Sequence, residues 1–296
     1  MRIRDERGRA PWRRRIALAL VAGAGACAHV GPPPSDHALT PGPDSVTTAL
    51  WHFDESGGTR AADAGPLRLD GSAGVGTRTD FGRFGNARQF TRVLDSFVLV
   101  PYDAALDLDR SLTIEAWISV DRFGQYEDTP IAGRWSQEAN HQSWLFSVVG
   151  FQTPNSVASL PTPGFHNGLV QGGRVGHLLF AYQPEDASAP RSFFSAQALE
   201  VNRWTHVAAT FDGEVVKLYI DGRLDSQYAT LGHIRASQTP ILIGNYFDTR
   251  RLSNFGGDLR VEATGDPNPY YAFEGFIDEL RLSHTARSVF TSTTGR

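Results

Sequence analysis

The 296-residue chain has one cysteine, Cys27, and one lysine, Lys217. A single cysteine forbids an internal disulfide, so stability must come from core packing, with or without a metal. Arginine supplies nearly all the positive charge, which reads as a base-composition bias. A formal net charge of −4 leaves no bulk basic field and excludes nucleic acid as a partner. No segment keeps a 3.6-residue apolar period, so helices should be short or absent. Gly-x-Ser-x-Gly, His-Glu-x-x-His and Cys-x-x-Cys do not occur, which removes familiar hydrolase, metallopeptidase and redox signatures. His141, His166, His177, His206 and His233 lack metal-ligand spacing.

What is present is alternation. In residues 204–222, WTHVAATFDGEVVKLYIDG, Val207, Ala209 and Phe211 share one face and His206, Ala208 and Thr210 the other. Val216, Leu218 and Ile220 then alternate with Lys217 and Tyr219. Period-two patterning marks half-buried strands. The Asp-Gly pairs at 212–213 and 221–222 suit type I′ turns, whose two central residues need φ > 0. Three antiparallel strands are therefore expected in a row. Further strands are expected at 47–54, 67–69, 73–75, 87–90, 97–100, 111–120, 144–149, 176–182, 240–244 and 274–282, the last pairing near the first. Two long insertions, 150–173 and 245–271, interrupt this series, and loops of that length are usually functional or mobile.

The N-terminus reads separately. An Arg-rich stretch precedes the apolar run 16–26, which is too short to span a bilayer. It ends in Ala24-Gly25-Ala26 just before Cys27. This resembles a bacterial lipoprotein signal in which Cys27 is lipidated. Ala24 stands where that motif usually has Leu, and a plain secretory signal is the alternative. Residues 1–26 are thus assigned to the signal and 27–46 to a stiff Pro-rich linker. Residues 47–286 form one domain and 287–296 a tail. The expected location is the bacterial cell envelope, outside the cytoplasm, with the membrane reached only through the lipid.

The signature at 204–222 resembles the centre of laminin-G-like, concanavalin A-like jelly-roll domains. WHFDE (51–55), GNARQF (85–90), VLVP (98–101), LTIEAW (112–117) and FIDELRL (276–282) fit the same pattern in the same order. The resemblance runs from about residue 47 to 286 and implies an all-β fold, a two-sheet antiparallel jelly-roll β-sandwich. It implies no single function, since this scaffold hosts lectins, hydrolases, lyases and adhesive modules.

Jelly-roll glycoside hydrolases of the laminarinase type carry Glu-x-Asp-x-(x)-Glu on a strand, and no such triplet occurs. Asp278 and Glu279 are adjacent and should point to opposite faces. Domains of this type hold structural calcium where first and last strands meet, and Asp54, Glu55, Asp63 and Asp278 match that position. The same carboxylates also read as turn caps and solvated groups. A weaker resemblance to pentraxins, through PILIG (240–244) and FID (276–278), adds Asp248 as a calcium ligand. It places Asn140 where an acidic residue is expected, and Tyr246 where a Glu would stand. Flat aromatics that stack on sugars, with hydroxyl-binding groups beside them, are sought in Trp135, Trp144, Tyr246, Phe247, Tyr270 and Tyr271, with Asn140, Asp248 and Arg250. Trp51, Trp117 and Trp204 read as core, and His206 as a structural hydrogen-bonding residue. If the strands before them lie side by side, the two insertions should share one ligand edge.

The expected function is an exported, noncatalytic module that binds carbohydrate or a glycosylated surface partner. A structural or adhesion protein binding another envelope protein is the alternative, and a polysaccharide hydrolase or lyase with a nonstandard site the third. Cys27→Ser tests the anchor: the parent should partition into detergent carrying a lipid label, and the variant should stay soluble or unprocessed. A parent without lipid would refute the lipoprotein assignment.

Overall fold

The structure is a computed structural model that describes residues 42–124, 128–135, 141–150, 175–247, 250, 252–255, 258–261 and 272–290. All of these fall in the second of the chain's two units, Pro34–Arg296. They form eighteen strands and one 3-10 turn, Ala104–Leu106. The first part supplies β1 (Thr47–Trp51), β2 (Arg60–Ala61), β3 (Gly71–Ala73), β4 (Arg78–Phe81), β5 (Asn86–Phe90) and β6 (Val98–Val100). Longer strands follow: β7 (Leu112–Val120), β8 (Thr129–Trp135), β9 (Gln142–Val148), β10 (His177–Tyr182) and β11 (Arg191–Ala198). The expected triplet is β12 (Trp204–Phe211), β13 (Val215–Ile220) and β14 (Arg223–Ala229). Last come β15 (Ile241–Ile243), the hairpin β16 (Leu252–Phe255) and β17 (Asp258–Val261), and β18 (Gly275–Ser283).

Two eight-stranded antiparallel sheets make the jelly-roll sandwich that the alternation implied. The first runs β14-β13-β12-β7-β18-β5-β4, with β1 also on β18; the second runs β11-β10-β9-β8-β15-β6-β3-β2. Val207, Ala209, Phe211, Val216 and Leu218 from the first sheet meet Trp144, Phe146, Leu178 and Phe180 from the second in one core. Each fully buried Val, Leu or Phe side chain among these contributes about 1.5–3 kcal/mol. At the β13–β14 turn, Asp221 (φ 51°) and Gly222 (φ 72°) both have positive φ, as type I′ requires. The β12–β13 connection differs from expectation. Only Gly213 (φ 92°) is left-handed there, and the Asp212 carboxylate accepts the N–H groups of Glu214 (3.0 Å) and Val215 (2.7 Å). The side chain thus closes a three-residue loop in place of a two-residue turn.

The outer face of the second sheet is apolar as well, and it is covered. Trp135, Leu145, Leu179 and Phe194 pack under Tyr246, and Phe97 and Leu242 under Phe247 and Val261. The segment after β15 therefore lies over that face, with β16 and β17 as a separate hairpin. Strands β2, β4, β8, β11, β16 and β17 were not foreseen, and residues 67–69, expected as a strand, lie in a turn and the stretch that follows it. Pro130 and Gly133 interrupt the alternation of β8, whose register shifts between Pro130 and Ala132, the bulge by which a sheet tolerates proline.

Trp117 is buried as expected, but on the outer side of the first sheet, and Trp204, also expected in the core, is not buried. Trp117 packs edge-on to Phe84 (5.7 Å) and His206 (5.6 Å) outside the first sheet. Trp204 is only half-buried, its ring 6.0 Å from Phe276. Trp51 lies fully buried between the sheets. In denaturant melts Trp51→Ala should cost about 3–5 kcal/mol and Trp204→Ala no more than about 2 kcal/mol. Equal losses would mean that Trp204 also reaches the core.

Candidate functional site

The first and last strands converge on a group of ionisable side chains. β18 pairs with β7 along its length. On its other edge residues 275–277 pair with β5 and residues 280–283 with β1. At the handover the β18–β7 register shifts between Asp278 and Arg281, and Glu279 adopts φ 53°. This bulge overturns the expectation that Asp278 and Glu279 point to opposite faces. Ile277 and Leu280 both enter the core, so the inserted residue leaves Asp278 and Glu279 together on the outer side. Across from them Phe53 has φ 60° and buries its ring, with His52 and Asp54 on either side. A left-handed Phe costs about 1–2 kcal/mol, and such residues gather at functional sites.

His52 Nδ1 lies 2.9 Å from both carboxylate oxygens of Glu279. Donor atoms of His52, Asp54 and Glu279 all lie within 4.8 Å of one another. Hydrogen bonding to Glu279 raises the pKa of His52 against the opposing effect of burial. Asp54 Oδ1 accepts the N–H of Asn86 (2.9 Å) and Asp278 Oδ2 that of Phe84 (2.9 Å), so the two carboxylates hold the β4–β5 turn. Asp278 is fully buried and its Oδ1 has no hydrogen-bond partner. Burial pushes its pKa well above the usual carboxylate range; the Phe84 and Arg83 amides oppose that, and the charges of Glu279 and Asp54 add to it.

Of the four carboxylates expected to bind calcium here, only Asp54 belongs to the group whose donor atoms converge, with the buried Asp278 close enough for its charge to be felt. Asp63 is closed by the N–H groups of Leu50, Gly65 and Leu69, each at 2.7 Å. Glu55 accepts the Ala62 N–H (2.6 Å) and stands 3.6 Å from the buried Arg88. Both act as loop staples. His52 and Glu279 were missed, although each sits inside a motif quoted for its strand. The alternation rule hid Glu279, because nothing in FIDELRL announces a bulge.

The sugar-stacking residues are mostly not available to a ligand. Trp135, Trp144, Tyr246 and Phe247 are buried, Trp144 between the sheets, Trp135 under Tyr246 behind the second sheet, and Tyr246 and Phe247 within the layer that covers that face. Arg250 is exposed. Cys27, Asn140, Asp248, Tyr270 and Tyr271 lie outside the described residues, as do 151–173 and most of the second insertion, so the shared edge is not described.

Two other features mark the first sheet. A strap after β18, which includes residues 287–290 expected as a tail, crosses its outer face. Phe290 packs on Tyr219 (4.7 Å) and His206 (5.5 Å). The Arg287 N–H donates to Thr113 Oγ1 (2.9 Å), and its guanidinium clasps Asp44 at 2.6 and 2.7 Å. Beneath lies Glu115, 3.1 Å from His206 Nε2 and 3.7 Å from Arg287 Nε. His206 thus has the structural role expected of it. At the end of the sheet, Gln197, Glu200, Arg203, Asp221, Arg223, Leu224 and Asp225 line a cleft of about 240 Å³. Arg203 pairs with Asp221 (2.7 Å), and Asp225 accepts the Ala196 (2.5 Å) and Gln197 (3.1 Å) N–H groups.

Comparison with known proteins fits this architecture. A family model described as the concanavalin A-like lectin/glucanases superfamily matches residues 94–289. No curated protein matches in sequence. Among solved structures, the binding domain of Paraclostridial Mosquitocidal Protein 1 superposes with TM-score 0.54 at 14% identity, over 82% of this chain and 49% of that one. The botulinum neurotoxin serotype G binding domain gives 0.53 at 11%, over 81% and 48%. Domain 4 of AbnA, a GH43 extracellular arabinanase from Geobacillus stearothermophilus solved with arabinotriose, gives 0.51 at 18%, over 81% and 93%. The chain spans about half the length of the toxin domains. At these identities the likeness is one of fold.

The strap supplies a pH test. Burial opposes ionisation of Asp44, but its hydrogen bonds to Arg287 and Thr47 and the Arg287 charge lower its pKa from 3.8 to about 2. A depressed carboxylate contributes stability above its unfolded pKa and loses it as pH falls through the folded one. The melting-temperature gap between parent and Asp44→Asn should therefore be constant from neutral pH down to about pH 5 and close between about pH 4 and 2. A gap that persists at pH 2 would rule out the Asp44–Arg287 pair as its source.

Proposed function

Because the chain belongs to the concanavalin A-like lectin/glucanases superfamily, we propose that it is a noncatalytic binding module for carbohydrate or a glycosylated surface partner. In this reading it is exported and held at the cell envelope by a lipid on Cys27. The cleft at the end of the first sheet carries the proposal. Sugar hydroxyls both donate and accept hydrogen bonds, and Gln197, Glu200, Arg203 and Arg223 offer both kinds of partner around one recess. Leu224, 52% exposed in the same recess, offers an apolar surface for the C–H face of a ring. Glycoside hydrolysis needs two carboxyl groups free to act as acid and as base or nucleophile. Here Asp221 and Asp225 already accept protein N–H groups, an arrangement suited to shaping a recess.

The arabinanase domain that shares this fold was solved with arabinotriose, so arabinan oligosaccharides belong among the first probes. On a glycan array, Arg223→Ala combined with Leu224→Ala should weaken binding at least about tenfold, which is about 1.4 kcal/mol. The thermal melt should stay nearly unchanged, because neither side chain is part of the core. Full retention of glycan binding would move the site elsewhere. Capture of a single envelope protein with no glycan signal would favour adhesion.

A further inference from the structure

The corner where β1, β5 and β18 meet departs from the all-oxygen calcium site expected there. We propose that His52, Asp54 and Glu279, beside the buried Asp278, bind a divalent transition-metal cation of the zinc type, and not calcium. The proposal stands independently of the glycan-binding reading.

Calcium takes six to eight oxygen ligands in a roomy shell. Two of the carboxylates that would build such a shell are engaged within the protein, Asp63 by three backbone N–H groups and Glu55 by the Ala62 N–H at Oε1 and the Arg88 guanidinium 3.6 Å from Oε2. An imidazole nitrogen stands in their place, with its Nδ1 directed at the Glu279 carboxylate. A nitrogen donor with a few carboxylates suits zinc and its neighbours, which accept four ligands. The spacing is close to what such an ion needs. Two ligands of one such ion, with bonds of about 2.0–2.2 Å, stand at most about 4.4 Å apart, so donor atoms within 4.8 Å of one another need to close by only a few tenths of an ångström. Two tetrahedral ligands on that ion stand about 3.3 Å apart, so the His52–Glu279 contact of 2.9 Å would open only slightly.

Asp278 supplies an independent sign. A fully buried carboxylate oxygen without a donor is costly, and such a group in a native fold calls for an ion or water. The bulge at Glu279 sets that carboxylate beside Asp278 on the same side of the sheet. The backbone there is held from several directions, by β7 along β18 and by the Asn86 and Phe84 amides on Asp54 and Asp278. The ligands are thus arranged before any ion arrives.

Titration calorimetry and thermal melts of the chelator-treated chain with zinc, manganese and calcium ions, each alone, test the proposal. Zinc should bind one to one and raise the melting temperature. His52→Asn and Glu279→Gln should each weaken it at least about 100-fold, while His233→Gln, at a half-buried histidine elsewhere, should not. Cobalt loaded in place of zinc should show the visible absorption of a nitrogen–oxygen site and lose it in His52→Asn. Calcium binding as tightly as zinc, and insensitive to His52→Asn, would overturn the metal assignment. Absence of any saturable site, with Asp278→Asn raising the metal-free melt, would show a hydrogen-bonded corner and overturn the site itself.

Discussion

The fold depends on how β18 divides its outer edge. One strand cannot pair with two neighbours at the same residues, so β18 gives 275–277 to β5 and 280–283 to β1. Between them the ladder is interrupted, and the bulge at Glu279 absorbs one extra residue. The backbone entering this gap, at 52–55 and 82–86, has no sheet partner on that side. Buried peptide groups must still be paired. Asp54, Asp278 and Asn86 provide the pairing, so carboxylates gather where strands do not. The concentration of ionisable groups at this corner follows from strand order.

A second constraint is that both sheets are covered on their outer sides. The first carries a polar and aromatic row, Phe84, Trp117, His206 and Tyr219, closed by Phe290. The second carries apolar residues closed by Tyr246, Phe247 and Val261. All nine residues of β7 are consequently buried. Aromatic residues beside long insertions thus became lids on the sandwich. Among the described residues, one recess lies at the end of the first sheet, where turns present charged and polar side chains.

Much of the fold was legible because its determinants are local. Alternation located β7, β12, β13 and β14, and Asp221-Gly222 dictated its own turn. The return of β18 to β1 followed from the sandwich resemblance. What stayed hidden depends on distant partners. The β8 strand survives Pro130 only because its neighbours accept a bulge. No rule of period two separates Leu145, under Tyr246, from Trp144, between the sheets, as inner from outer when both faces are apolar. The candidate metal corner was half legible. Asp54 and Asp278 stood out as acids at the two ends of the domain. His52 and Glu279 joined them only through two left-handed residues, Phe53 and Glu279, that local pattern could not reveal.

Aspartate has a consistent task in this chain, and that task separates the corner from the other acidic groups. Asp63, Asp103, Asp212 and Asp225 each accept backbone N–H groups, replacing partners that turns and strand ends lack. A carboxylate has about four acceptor sites, and at Asp63 three N–H groups occupy most of them. An aspartate in this sequence is therefore best read as a staple unless something is left over. At Asp278 something is. One oxygen holds the β4–β5 turn while the other, equally buried, meets no donor, and the negative charges of Glu279 and Asp54 act on it. Stapling accounts for the first oxygen alone. The second remains without a donor beside the His52–Glu279 pair, next to the position of the proposed cation.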